Sequence, residues 1–257
     1  MINPVAISIG PLQVRWYGIA YVVALAIGYW VALRLNRVRA VFKDKTQILD
    51  LFFDIFFWGA IVGGRLGYVL FYDPPYFLSH PLKIFALWEG GMSFHGGLIG
   101  SILVAYWFCK KHRIRFLNAA DLIGPIAALA QAIGRIGNFI NRELPGRIIE
   151  SPKWQFLGMD FGDGLARFPS PLFQSTEGFL AFGILLTLFF RKPKTGTVLA
   201  AYLMLNGLFR FLSEFYREPD PQIGYVFVFF TLGQILGLLT LLAGFAILLH
   251  VRRHHHP

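Results

Sequence analysis

Residues 119–140 read AADLIGPIAALAQAIGRIGNFI. As a helix this stretch can cross a hydrocarbon core of about 30 Å, which takes about 20 apolar residues. It also carries an arginine, Arg135, toward its far end. Working outward, six further windows of the same kind cover 12–33, 48–72, 92–109, 172–190, 198–215 and 225–251. The pattern predicts an all-α polytopic membrane protein with seven transmembrane helices, forming one domain over 1–257. The third window is short and rich in glycine. The stretch before it, 80–91, is expected to lie in the membrane interface as an amphipathic piece.

Composition points the same way. Of 257 residues, 56% are apolar and 15% charged, with mean hydropathy +0.56. Soluble domains carry about 25% charged residues. Disorder and a polar nucleic-acid-binding surface are excluded, and too few polar groups remain to cover a soluble enzyme. Twenty-seven Phe, ten Tyr and six Trp suit lipid contact and interfacial belts. One cysteine, Cys109, leaves no intramolecular disulfide and no cysteine-based metal site. It sits at the inner end of the third span and is expected not to act as a nucleophile. The N-terminus does not read as a cleavable signal, because no basic residue precedes Arg15. The HHHP end at 254–257 reads as a tail, not a metal site.

Loop charge sets an orientation. Segments 34–45, 110–115, 191–194 and 252–253 hold 14 Lys and Arg in 24 residues, whereas 1–11, 73–91, 141–171 and 216–224 hold 6 in 70. Rich and poor segments alternate. The positive-inside rule then puts the N-terminus outside, the C-terminus in the cytoplasm, and 141–171 in an extracytoplasmic loop. The net charge of +10 is mostly a consequence of topology.

Four basic residues remain, Arg15, Arg65, Arg135 and Arg210, and all lie inside proposed spans. An arginine at a helix centre costs about 2.5–3.5 kcal/mol on insertion scales, so each is a functional candidate by default. By direction of travel all four fall in the outer half of the bilayer, as do His95 and Glu177. Glu214 follows Arg210 by four residues and shares its helix face; Asn138 follows Arg135 by three. A polar cavity in the outer-leaflet half, open on one side, is the simplest account. Bland readings stand beside it. Arg15 near a helix end is expected to snorkel to headgroups. Arg210 with Glu214 reads equally as a structural ion pair. Asp50, Asp54 and Asp121 stand at cytoplasmic helix starts, where the dipole favours acid. The spacing of Gly63 and Gly67, Gly96 and Gly100, and Gly233 and Gly237 is that of helix packing. For Gly90, Gly91, Gly96 and Gly97 around His95, close approach to a ligand is the alternative.

Arginines at headgroup depth suit a phosphate, and a phospholipid is the phosphate present there. The sequence has no H-E-x-x-H helix and no G-x-S-x-G elbow. Three classes fit the residues: a lipid-modifying transferase, a transporter or flippase for an anionic lipid, and a non-catalytic lipid-binding scaffold.

The stretch GRIGNFINRELPGR at 134–147 resembles the signature of the bacterial prolipoprotein diacylglyceryl transferases. So do WYG at 16–18, GGRLGYVLFY at 63–72, WEGGMSFHGGLIG at 88–100 and FRFLSEFYREPD at 209–220, in the order of that family. The resemblance implies transfer of a diacylglyceryl group from phosphatidylglycerol to the lipobox cysteine of a prolipoprotein. A thioether forms and glycerol-1-phosphate leaves, in a bacterial cell (inner) membrane, with no cofactor and no metal. Partners implied are phosphatidylglycerol, the prolipoprotein lipobox segment and membrane lipids, with no nucleic acid. Carried over by motif, the catalytic residues are Arg135, Arg210, His95 and Glu143. The phosphatidylglycerol-binding residues are Arg135, Asn138, Tyr17, Arg65, Gly146, Glu214 and Arg217. His95, Glu143 and the arginine field itself stay open as ways to activate the thiol. At 169–174 the run PSPLFQ puts Gln174 where the family often has glutamate, with Glu177 three residues on. The loop 148–168 is short for the family.

Overall fold

The computed structural model describes residues 3–10, 12–72, 74–218, 225–226 and 230–253. The 254–257 tail and residues 219–224, including part of the REPD turn, lie outside the described residues. In chain order the elements begin with an antiparallel hairpin, β1 (Val5–Ile9) and β2 (Leu12–Arg15), followed by α1 (Trp16–Arg39). Next come α2 (Lys45–Asp54), a π-helical stretch (Ile55–Val62) and α3 (Gly63–Phe71), which together form one rod. A short α4 (Pro74–Ser79) leads through two 3-10 turns to α5 (Phe94–Lys111) and α6 (Phe116–Ile140). After a long loop follow α7 (Ser170–Phe190), α8 (Thr197–Ser213), a second hairpin of β3 (Tyr225–Val226) and β4 (Phe230–Thr231), and α9 (Leu232–Arg253).

Among the described residues, five helices are long and apolar enough to cross a membrane: α1, the Lys45–Phe71 rod, α6, α7 and α9; α8 is apolar but shorter. Large apolar side chains such as Val22, Trp30, Leu70, Leu103, Leu180 and Leu239 point outward, as they do where the solvent is hydrocarbon.

The helix limits differ from the sequence windows at two places. The window 12–33 begins with β2, and the helix starts only at Trp16. Alternating side chains in VAISI and LQVR favour strands, and Gly10 turns between them at a φ of +58°. The window 225–251 likewise opens on a hairpin. Its helix starts at Leu232, because Thr231 and Gln234 form a capping box: Gln234 N–H donates to Thr231 Oγ1 at 3.1 Å and Thr231 N–H to Gln234 Oε1 at 3.0 Å.

The chain forms two compact units, 39–119 and 1–38 with 120–257. In the first, the rod and α5 meet backbone to backbone. A Cβ built at Gly67 would lie 2.6 Å from Gly96 Cα, and one at Gly59 2.6 Å from Ser101 Cα. Gly96 is thereby committed to helix packing, as small-xxx-small spacing predicts.

In the second unit α8 packs along α9, with Gly207 facing Gly237, and α7 lies on α6, with Gly178 against Ala132. Ser175 Oγ donates to Ala132 O at 2.9 Å. The buried Asp121 of α6 accepts from Gly196 N–H and Leu199 N–H, both at 2.8 Å. A carboxylate there completes the N-terminus of α8, where the helix dipole favours it.

Candidate functional site

Arg135 lies near the end of α6, one turn before Asn138, so the two point along one face. Its Nη1 donates to Asn138 Oδ1 at 3.3 Å. Asn138 Nδ2 donates to Glu143 Oε2 at 2.7 Å, and Asn141 Nδ2 to Glu143 Oε1 at 3.2 Å. Both oxygens of Glu143 are therefore held by amides of the residues that end the helix. Tyr17 of α1 packs on this face: a Cβ at Gly137 would lie 3.0 Å from its ring. Tyr17 and Tyr21 share a hydrogen bond of 2.8 Å between their hydroxyls.

A second cluster forms at the end of α8. Arg210 Nη1 pairs with Glu214 Oε1 at 2.7 Å. Glu214, only 3% exposed, also takes Arg217 Nη1 at 3.4 Å, and its Oε2 accepts from Thr231 Oγ1 at 2.6 Å. Gly233 leaves the room: a Cβ there would stand 2.6 Å from Arg210 Nη2 and 2.6 Å from Glu214 Oε1. Burying a carboxylate among two arginines and a hydroxyl answers its charge and its lone pairs together.

The two clusters meet at one hollow. Arg135 and Arg210 both line one open hollow, together with Gln174 and Glu177 from α7. Glu177 accepts from the Tyr216 hydroxyl at 2.7 Å. Two guanidinium forks lining one hollow suit the oxygens of a phosphate.

The loop 141–171 is tied to the turn after α8 by residues whose part was not read from the sequence. Arg147 Nη2 donates to Glu214 O at 3.1 Å and its Nε to Arg217 O at 3.2 Å. Arg167 Nη1 donates to Gly146 O at 3.1 Å and to Glu218 Oε2 at 3.0 Å, and its Nε bonds Asp163 at 2.6 Å. That bond holds the Asp163 carboxyl below the usual carboxylate range. Gly146 itself is pressed into backbone: its N–H donates to Phe168 O at 3.0 Å, and a Cβ would lie 2.8 Å from Tyr216 O.

In the 39–119 unit, Arg65 is buried, 5% exposed. A guanidinium has five N–H donors. All five find backbone carbonyls, those of Lys83, Ile84, Ala86, Gly90 and Gly91, at 2.5–3.4 Å. Gly90 and Gly91 adopt φ of +82° and +77°, which turns their carbonyls onto it at a conformation side chains rarely take. Phe77 lies under the guanidinium at 5.2 Å. Leu78, Leu82, Phe85 and Trp88 point outward from the segment so held. His95 is the second residue of α5, exposed, with its ring edge-on to Phe94 at 5.7 Å. The helix start under it is fixed by Ser93, whose Oγ accepts from Gly96 N–H at 3.2 Å and whose N–H donates to Gly64 O at 2.9 Å. Arg15 is exposed at the end of β2, and Cys109 is buried in α5.

Comparison with known proteins agrees with these motifs. A family model described as prolipoprotein diacylglyceryl transferase matches residues 4–250. A protein of Bordetella parapertussis is 45% identical over 256 residues, 98% of this chain and 96% of its own. One from Geobacter sulfurreducens is 41% identical over 253 residues, covering 98% and 96%. One from Aeromonas salmonicida is 44% identical over 245 residues, covering 95% and 88%. All three are named phosphatidylglycerol–prolipoprotein diacylglyceryl transferase. With the family match running from β1 into α9, this chain belongs to the prolipoprotein diacylglyceryl transferase family.

Proposed function

We propose that this chain is a phosphatidylglycerol–prolipoprotein diacylglyceryl transferase, an enzyme that moves the diacylglyceryl group of phosphatidylglycerol to the lipobox cysteine of a prolipoprotein. A carbon–sulfur bond forms at the glyceryl carbon as the carbon–oxygen bond to phosphate breaks. The product is a thioether, and glycerol-1-phosphate leaves. The observation that carries this reading is the shared hollow of Arg135 and Arg210.

The phosphodiester carries about one negative charge and the departing monoester approaches two. Cations aimed at it gain most as the bond breaks, which raises rate and not merely binding. Arg135 and Arg210 take that role. Glu214, Arg217 and Thr231 set the Arg210 fork, and Asn138 sets Arg135. Tyr17 borders the same face and bonds the headgroup. The thiol must lose its proton, because a free cysteine with a pKa of about 8.5 is only a few per cent thiolate at pH 7. We favour His95 as the base. Glu143 is its rival, but both its oxygens are already taken by amides. Arg65 and Gly146 act by position, since the donors of one and the backbone of the other are spent inside the protein.

The chain crosses the bacterial inner membrane seven times as a single membrane domain. The N-terminus and the loop 141–171 lie outside, the C-terminus lies in the cytoplasm, and the hollow faces the outer leaflet. The alternation of basic and charge-poor loops supports this arrangement. Mass spectrometry tests the reaction. Purified protein with phosphatidylglycerol should add a diacylglyceryl mass to a lipobox peptide and none to its Cys→Ser control. No mass gain on the cysteine peptide rejects the reading.

A further inference from the structure

Among the polar groups of the hollow that the chemistry above leaves unused, one has a bare acceptor. Gln174, on the first turns of α7, lines the hollow beside Arg135 and Arg210 and is 7% exposed. Its Nε2 reaches only Ser170 Oγ, at 3.3 Å. Its Oε1 is shut from solvent and has no hydrogen-bond partner. Buried amide oxygens are almost always bonded, and one left bare bears the full loss of its hydration. Two of its uncharged or acidic neighbours in the hollow are already engaged: Glu177 takes the Tyr216 hydroxyl, and Asn206 bonds Gln131 at 2.8 Å. A bare acceptor in a site built for a phosphate asks for a donor that the phosphate itself lacks.

We infer that Gln174 binds a hydroxyl of the lipid headgroup and so selects a polyol headgroup. The inference rests on the diacylglyceryl transferase reading and names what chooses the lipid. The glycerol of phosphatidylglycerol carries its hydroxyls within a few bonds of the phosphate. A hydroxyl both donates and accepts, so it satisfies the amide whichever way the amide is turned. An ammonium headgroup could donate as well, but it would enter beside two guanidinium groups of its own sign. A quaternary ammonium has no hydrogen to give. A neutral amide between two cations therefore favours glycerol over ethanolamine and choline.

The experiment compares two lipids with the same acyl chains, phosphatidylglycerol and phosphatidylpropanol, the second lacking both headgroup hydroxyls. The full chain in lipid–detergent micelles is assayed with a lipobox peptide. Wild-type kcat/KM should favour phosphatidylglycerol by about tenfold or more, the size of one buried hydrogen bond. Gln174→Met keeps the volume and removes both polar atoms. It should lose about tenfold on phosphatidylglycerol and stay within about twofold on phosphatidylpropanol, so that the preference collapses. Equal loss on both lipids, or an unchanged ratio, overturns the inference, as does wild-type protein indifferent to the hydroxyls. Where the Met variant fails to fold, Gln174→Glu decides: it keeps an acceptor, so a retained preference supports the inference and a lost one overturns it. Wild-type protein that modifies the peptide with neither lipid instead sinks the transferase reading.

Discussion

Thr231 donates its hydroxyl to Glu214 at 2.6 Å, from the residue that also caps α9. One side chain thus ends a hairpin, starts a helix and holds the carboxylate that pairs with Arg210. Thr231→Val keeps the shape and removes the hydroxyl. A hydrogen bond to a charged group contributes about 1.5–3 kcal/mol. We expect a lower Tm in detergent and a fall in turnover larger than the fall in lipid affinity, because Arg210 loses its fixed aim. A Thr231→Val protein with unchanged Tm and kcat would remove this residue from the site.

Arg135 should tolerate no replacement. In the proposed role, Arg135→Gln removes the charge that meets the leaving phosphate, and transfer should drop by about 10²–10³, the cost of removing one preorganised donor. Arg135→Lys keeps the charge but not the planar fork, and is expected to recover little. Folded protein in the membrane with near-normal transfer in either variant contradicts the assignment.

Much of this arrangement is written in short-range spacing. Arg210 with Glu214, and Arg135 with Asn138, could be paired on one helix face from the sequence because a helix repeats every 3.6 residues. The glycine pairs of the rod and α5 were legible for the same reason. The partners supplied from afar were not. Nothing local links Thr231 to Glu214 across 17 positions, Tyr216 to Glu177 across 39, or Arg147 to Glu214 across 67. Two starts were misplaced because apolar strands next to apolar helices look like longer spans. The second carried a readable signal, the Thr231–Gln234 capping box, which an unbroken apolar window hides. Arg65 was legible as a buried charge, but a count of its donors required the backbone.

Arg65→Lys gives the test of that count. Lysine offers three donors from one atom and cannot span five carbonyls. Hydrogen exchange at 83–91 should accelerate in the lipid-free variant, with a second effect on turnover. Unchanged exchange together with a raised KM for phosphatidylglycerol would return Arg65 to direct lipid contact.

The Asp163–Arg167 bond should hold the loop 141–171 over a defined pH range. The folded carboxyl titrates below its unfolded value. Its contribution is therefore complete above the unfolded value of about 3.9 and is lost as pH falls through the lower folded one. Loop protection against proteolysis in wild-type protein should stay flat from neutral pH to about 5 and decline in stronger acid. Asp163→Asn should show the looser loop at every pH. A variant protected like wild type at neutral pH would show that Arg167 holds the loop through Gly146 and Glu218 alone.

The choice of base rests on the acid limb of the rate. If His95 takes the thiol proton, kcat/KM in wild-type protein falls as the imidazole protonates, since only the neutral ring accepts a proton. His95→Asn should be slower throughout the neutral range by about 10²–10⁴, the usual size of a general-base term. It should also lose that acid limb, leaving a rate that climbs with pH only as the thiol itself ionises. Glu143→Gln should keep the limb, because its amide oxygen still accepts from Asn138 and its NH2 can donate to Asn141 Oδ1 once that amide turns, which keeps the helix end in place. If Glu143→Gln flattens the profile and His95→Asn does not, the carboxylate is the base and the histidine serves only the start of α5. If neither flattens it, the guanidinium groups of the hollow lower the thiol pKa directly, and Arg210→Lys should then shift the whole profile to higher pH.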